Sequence, residues 1–158
     1  MTLPALRWPG LAPAGSGTAT MTMDFAPYLL GGSVTALRPA EFARLDRLSN
    51  LEANWDGRGI EAPTRRAVQN ARFWLPSMLA GAASAGKPWL PAHIAPAGEG
   101  ELTFEWWRGD RKITLYFGDG ARPEFLKVWG PHIQDEMDSG ELDSVDAFRA
   151  LWAWLHSA

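Results

Sequence analysis

The sequence contains no cysteine, only three histidines and no long apolar run. Without cysteine, the chain has no disulfide, no thiolate metal site and no cysteine nucleophile. This composition fits a reducing compartment, and we expect a cytoplasmic protein. No segment approaches the roughly 20 apolar residues of a membrane-spanning helix. The N-terminus also lacks the basic segment and apolar core of a secretory signal, so we predict neither membrane insertion nor secretion.

Basic charge is also scarce. The chain carries 15 Lys and Arg against 18 Asp and Glu, a net charge of −3. Because nucleic-acid-binding proteins usually carry a basic surplus, this class is disfavoured as the main function. One basic group keeps a weak nucleic-acid-binding accessory role open as an alternative. Its members are Arg58, Arg65, Arg66 and Arg72.

Sequence motifs of common catalytic sites are missing. The chain has no Gly-x-Ser-x-Gly elbow and no HExxH motif. We therefore predict no metal and no cofactor, and an enzyme only as an alternative. That alternative is a hydrolase-like activity in which His132 acts with Asp135 or Glu136 as acid–base partners.

The clearest positive pattern is three short alternating segments at residues 101–106, 112–117 and 123–129. Large apolar residues alternate with polar ones in the first two segments, as expected for strands with one buried face. Gly and Asp at both junctions favour tight turns. The pattern predicts an antiparallel meander of three strands, and residues 89–95 add a possible fourth at the edge because Pro91 and Pro96 disfavour a central position.

The sequence predicts helices both before and after the strand segments. A leucine-spaced helix is expected over residues 39–53. A second is expected over residues 63–79, with a kink or break at Pro76 and a loop after it. A last helix begins near Asp143 or Ser144. We predict an α+β fold with two N-terminal helices, a three- to four-stranded meander and a C-terminal helix packed on the sheet.

The N-terminal part of the chain differs from the rest in composition. Residues 1–38 are rich in Pro, Ala and Gly, so we predict a flexible segment there. Residues 39–158 are predicted to form a single α+β domain. At 158 residues, one domain is the natural expectation.

The string Asn54-Trp55-Asp56-Gly57-Arg58-Gly59 joins the first two predicted helices. In a structural interpretation, Asn54 and Asp56 bond to nearby backbone, Trp55 plugs the core and the glycines reverse the chain. In a functional interpretation, Asp56 and Arg58 face outward beside an aromatic anchor, since Trp and Arg are frequent in binding hot spots.

This layout resembles a group of uncharacterised bacterial and phage-associated proteins. The pattern is a leucine-spaced helix, an Asn-Trp-Asp-Gly turn, a proline-started helix and a short hairpin sheet with a Glu-Trp pair. The resemblance spans about residues 42–130, and it implies a fold without assigning an activity. The matching residues are Leu45, Leu48, Leu51, Asn54 to Gly57, Pro63, Glu105 and Trp106.

Two further features suggest binding. Trp106 and Trp107 are neighbours in one strand and must point to opposite faces, so one packs in the core and the other is either covered by a helix or exposed as a partner site. Residues 135–146 contain six acids and no Lys or Arg, which is typical of a solvated loop or of an acidic patch for a basic partner.

The sequence therefore predicts a small regulatory module that binds a protein, with an antitoxin- or inhibitor-like role in a mobile-element or phage-defence setting. The partner is expected to present a basic surface. The candidate binding residues are Trp55, Asp56, Arg58, Trp107, Asp135, Glu136 and Asp138.

Overall fold

A computed structural model describes residues 34–132 and 134–157 of the protein. This part of the chain has an α+β fold with three helices and one antiparallel sheet, and the last helix packs on the sheet as predicted. Residues 1–33, which form most of the segment predicted to be flexible, lie outside the described residues. The helices are α1 (Val34–Ser49), α2 (Arg65–Ser84) and α3 (Val145–Leu155). The strands are β1 (His93–Gly98), β2 (Glu101–Arg108), β3 (Arg111–Phe117), β4 (Glu124–Val128) and β5 (Met137–Glu141).

The five strands pair in chain order, so each strand lies beside its sequence neighbours. The pairing aligns Trp106 with Ile113 and Phe104 with Leu115, and all four of these side chains are buried on one face. Trp106 makes edge contacts with Trp152 of α3, at 5.5 Å between ring centroids. The core therefore lies between the helices and this face of the sheet.

The sheet has one or two more strands than the sequence predicts. β1 lies at an edge as expected, but it covers residues 93–98, with a register irregularity between Pro96 and Gly98. The fifth strand, β5, comes from the acidic segment, whose composition is typical of a solvated loop or an acidic patch. Pairing with β4 overrides its low strand propensity, because Asp138 faces Lys127 and Gly140 leaves room for the ring of Phe125.

Helix α2 continues through Pro76 to Ser84, so of the expected kink or break the break does not occur, and the loop expected after it begins later. Proline removes one helical hydrogen bond and costs about 3 kcal/mol inside a helix. Leu75, Met78 and Leu79 are buried around it, and each contributes about 1.5–3 kcal/mol by burial. Gly81 extends this packing, since a Cβ there would lie 3.1 Å from the ring of Phe148.

The other two helices agree more closely with the sequence. Helix α3 begins after Ser144, whose hydroxyl accepts a hydrogen bond from the amide of Ala147, as predicted for an N-cap. Helix α1 starts five residues earlier than predicted and ends at Ser49, so Leu51 lies beyond it. None of the helices in the described part of the chain is both long and apolar enough to cross a membrane.

Candidate functional site at the hairpin end of the sheet

The turn between β2 and β3 and the connection between β4 and β5 lie at the same end of the sheet, here called the hairpin end. In the backbone pairing, Arg108 lies opposite Arg111 at the turn, and Val128 lies opposite Met137 beside the connection. Side chains from both connections therefore meet there, on the core side and on the opposite side of the sheet.

The side of the sheet opposite the core is here called the open face. Trp107, Glu124 and Glu141 on it are exposed, whereas Thr103 and Thr114 near its centre are buried. Trp107 lies on the open face at the hairpin end and is 51% exposed, whereas Trp106 is 1% exposed. Of the two neighbouring tryptophans, Trp106 is therefore the one in the core and Trp107 the exposed one. Lys112, opposite Trp107, places its ammonium 5.1 Å from the indole centroid and 2.5 Å from a carboxylate oxygen of Glu105.

Half-buried apolar side chains continue this surface across the sheet. Val128 lies opposite Lys112, and Met137 lies opposite Val128, so both share a row with Trp107. Leu126 lies in the next row, opposite Thr114. The open face is therefore apolar towards the hairpin end.

The far end of the open face is acidic. Glu124 on β4 and Glu141 on β5 lie directly opposite each other, and both are exposed. Like charges in this arrangement destabilise a sheet. Arg122 approaches Glu141 at 3.6 Å, but among the described residues no basic side chain pairs with Glu124. The open face thus combines an apolar half with an uncompensated carboxylate.

A cleft of about 580 Å³ opens at the hairpin end on the core side of the sheet. Trp129 follows β4 and Trp154 lies near the end of α3, and their rings meet edge to face at 6.1 Å. We call this space the Trp129–Trp154 cleft. It is lined by Asp110, Arg111, Lys127, Trp129 and Trp154.

Two cations lie against these indoles. The guanidinium of Arg111 is 5.0 Å from the Trp154 centroid, and its Nη1 donates to the Trp154 carbonyl and to Ser157 Oγ. The ammonium of Lys127 lies 5.6 Å from Trp154 and 6.0 Å from Trp129. The ammonium of Lys127 also forms an ion pair with Asp138 at 3.0 Å. Asp138, one of the predicted binding residues, therefore faces the cleft and not the open face.

The Asn54–Gly59 corner lies elsewhere. Thr64, just after it, donates its amide to Gly100, next to the end of β2 farthest from Trp107. The expected local bonding is confirmed, because Asn54 Oδ1 accepts from Gly59 and Asp56 Oδ1 accepts from Arg58 and Ile60. Trp55 does not plug the core. It is 41% exposed, in a turn in which Asn54 and Gly57 both have positive φ angles.

Asp135 and Glu136 lie in the connection before β5, at the hairpin end, and Asp135 is exposed. Glu136 accepts a hydrogen bond from the backbone amide of His132 at 2.7 Å. The carboxylate thus contacts the main chain of His132, in a local turn, and this geometry gives no support to an acid–base pair. The hydrolase-like activity stays a prediction.

The four arginines of the basic group have different surroundings. Arg72 pairs with Asp46 of α1, which ties two helices together. Arg65 and Arg66 are exposed in the first turn of α2, and Arg58 is exposed in the corner. The weak nucleic-acid role also stays a prediction.

Sequence reasoning did not find the cleft. Trp129 and Trp154 are 25 positions apart, and only the docking of α3 brings them together.

Within the described ranges, no group of three His, Asp or Glu side chains is arranged to hold a metal ion. Comparisons of the chain with protein-family models, curated proteins and solved structures gave no significant match.

Proposed function

We propose that this chain is a protein-binding module that uses the open face of its sheet to cover a basic and partly apolar surface on a partner. The main observation in support of this proposal is the exposure of Trp107. A half-exposed tryptophan in the same cross-strand row as Val128 and Met137, with Lys112 between them, is a typical anchor of a binding hot spot. Five paired strands hold these side chains in fixed register, so little ordering is needed when a partner binds.

The charges of the open face define the partner's chemistry. Glu124 and Glu141 lie opposite each other, and a partner that covered them without basic groups would desolvate two carboxylates at a large cost. Lysine or arginine on the partner would instead compensate them and speed association. Asp135 and Glu136 lie in the connection at the hairpin end and stay predicted binding residues.

The finer form of the proposal is an inhibitor- or antitoxin-like regulator in the cytoplasm, in a mobile-element or phage-defence setting. Such a protein works by occlusion, which requires a rigid complementary face and no chemistry of its own. The exposed Trp107 and the opposed carboxylates of Glu124 and Glu141, held on a paired sheet, support this form of the proposal.

The test is affinity capture with the full chain from its source organism, followed by reconstitution of the complex from purified components. We compare Trp107→Ser with Trp55→Ser, because both tryptophans are about equally exposed, at 51% and 41%. One stoichiometric protein should bind the wild type and Trp55→Ser and be lost with Trp107→Ser. The double variant Glu124→Gln/Glu141→Gln should weaken binding and flatten its salt dependence. A partner that tolerates all changes on the open face, or the absence of any partner, contradicts the proposal.

A further inference from the structure

We infer that the Trp129–Trp154 cleft binds a small organic anion with a flat apolar body, such as an aromatic carboxylate or an aromatic phosphate monoester. This site is separate from the open face, because it lies on the core side of the sheet, and it does not depend on the proposed function. Its volume of about 580 Å³ suits a single small molecule.

The apolar part of the ligand has a defined place. Trp129 and Trp154 are half-buried, and their rings meet at an interplanar angle of 75°. Two indoles at this angle form a corner with two walls, and a flat ring stacks on one wall and presents its edge to the other.

The anionic part is held by two cations already positioned at this corner. Hydrogen bonds to the end of α3 fix Arg111 through Nη1, which leaves the N–H groups of Nε and Nη2 for a ligand. Lys127 has three N–H donors and uses one of them on Asp138. A ligand oxyanion between these groups gains charge-assisted hydrogen bonds in a partly desolvated space.

The acids around the cleft limit the charge of the ligand. Asp110 lines the rim, and Asp138 competes for the ammonium of Lys127 at 3.0 Å. Both repel additional negative charge, so the site favours one carboxylate or one phosphate over a polyphosphate chain. Asp138 therefore weakens anion binding, and its removal should strengthen it. A purely structural ion pair would not show this gain.

The test is titration of the full chain with indole-3-acetate and with adenosine monophosphate, followed by the indole N–H signals of Trp129 and Trp154 in NMR. Indole-3-ethanol and adenosine are the uncharged controls. At least one acid should shift both signals and bind about tenfold more tightly than its uncharged control. Which acid binds shows whether the cleft accepts an indole carboxylate or a purine nucleoside phosphate.

Three variants assign the binding to the cleft. Lys127→Gln should weaken it about tenfold, and Asp138→Asn should tighten it about threefold. Lys112→Gln is the matched control, because Lys112 also lies over an indole and pairs with an acid, but on the open face. It should leave the affinity unchanged. The inference is wrong if neither acid shifts the two signals at millimolar concentration, if the uncharged controls bind equally well, or if Lys127→Gln has no effect.

Discussion

Alanine substitution at two adjacent tryptophans gives the most direct test of how the sheet is arranged. Trp106 is fully buried, contacts the rings of Trp89, Phe148 and Trp152, and donates its indole N–H to the Leu90 carbonyl at 3.0 Å. Trp106→Ala removes these contacts and opens a cavity. We expect a loss of about 3–5 kcal/mol in the free energy of unfolding.

Trp107→Ala should cost far less. A tryptophan buries roughly 150–250 Å² when it is fully enclosed, and about half of this applies to a side chain that is 51% exposed. At about 25 cal/mol per Å², this area is worth at most about 3 kcal/mol. The area that alanine still buries and the compactness of the unfolded chain reduce the expected loss to about 1 kcal/mol.

The assay is urea unfolding followed by far-UV circular dichroism, since tryptophan fluorescence would change with the substitutions themselves. The two variants should share the wild-type dependence on urea and differ in their midpoints. If Trp107→Ala is as destabilising as Trp106→Ala, the open face is covered in solution. Its use as a partner surface would then be refuted together with the reasoning from exposure.

Two other substitutions test how the helices hold the sheet. Asn70 donates to the carbonyls of Gly118 and Gly120 at 2.8 and 2.7 Å, so Asn70→Ala should lower the free energy of unfolding by about 1–2 kcal/mol, whereas Gln69→Ala at its exposed neighbour should change it little. Equal midpoints for these two variants in urea would contradict this role. Gly81→Val forces a branched side chain against Phe148, and we expect a loss of about 1–3 kcal/mol and a lower thermal midpoint in calorimetry. An unchanged midpoint would show that α2 and α3 do not pack this closely.

The parts of the fold that the sequence predicts are those with a strong period. The alternation in β2 and β3 places Trp106 and Trp107 on opposite faces of the sheet without saying which of them is buried, and the structure shows that Trp106 is the buried one. The apolar spacing of α3 and its Ser144 cap are equally local signals. Each depends on residues that are close in the chain, so no knowledge of tertiary contacts is needed.

The features that the sequence misses depend on contacts between distant segments. β5 has the composition of a loop, and it becomes a strand because β4 offers Lys127 to Asp138 and Phe125 to Gly140. Helix α2 continues through Pro76 because its buried side chains pack against the rest of the core, and this packing offsets the cost of the proline. The Trp129–Trp154 cleft likewise exists only after α3 has docked, so no short window of sequence predicts it.

The two proposed sites use opposite faces of the same two strands, and this makes them separable. Lys112 and Ile113 are adjacent in β3, and Ile113 lies opposite Lys127 in β4. Lys112 therefore points to the open face and Lys127 to the cleft, each over an indole and each paired with an acid. A charge change at either lysine alters one face and leaves the other intact. An anion in the cleft can affect a partner on the open face by shifting these strands or through its own charge, and any such coupling must act equally in both directions.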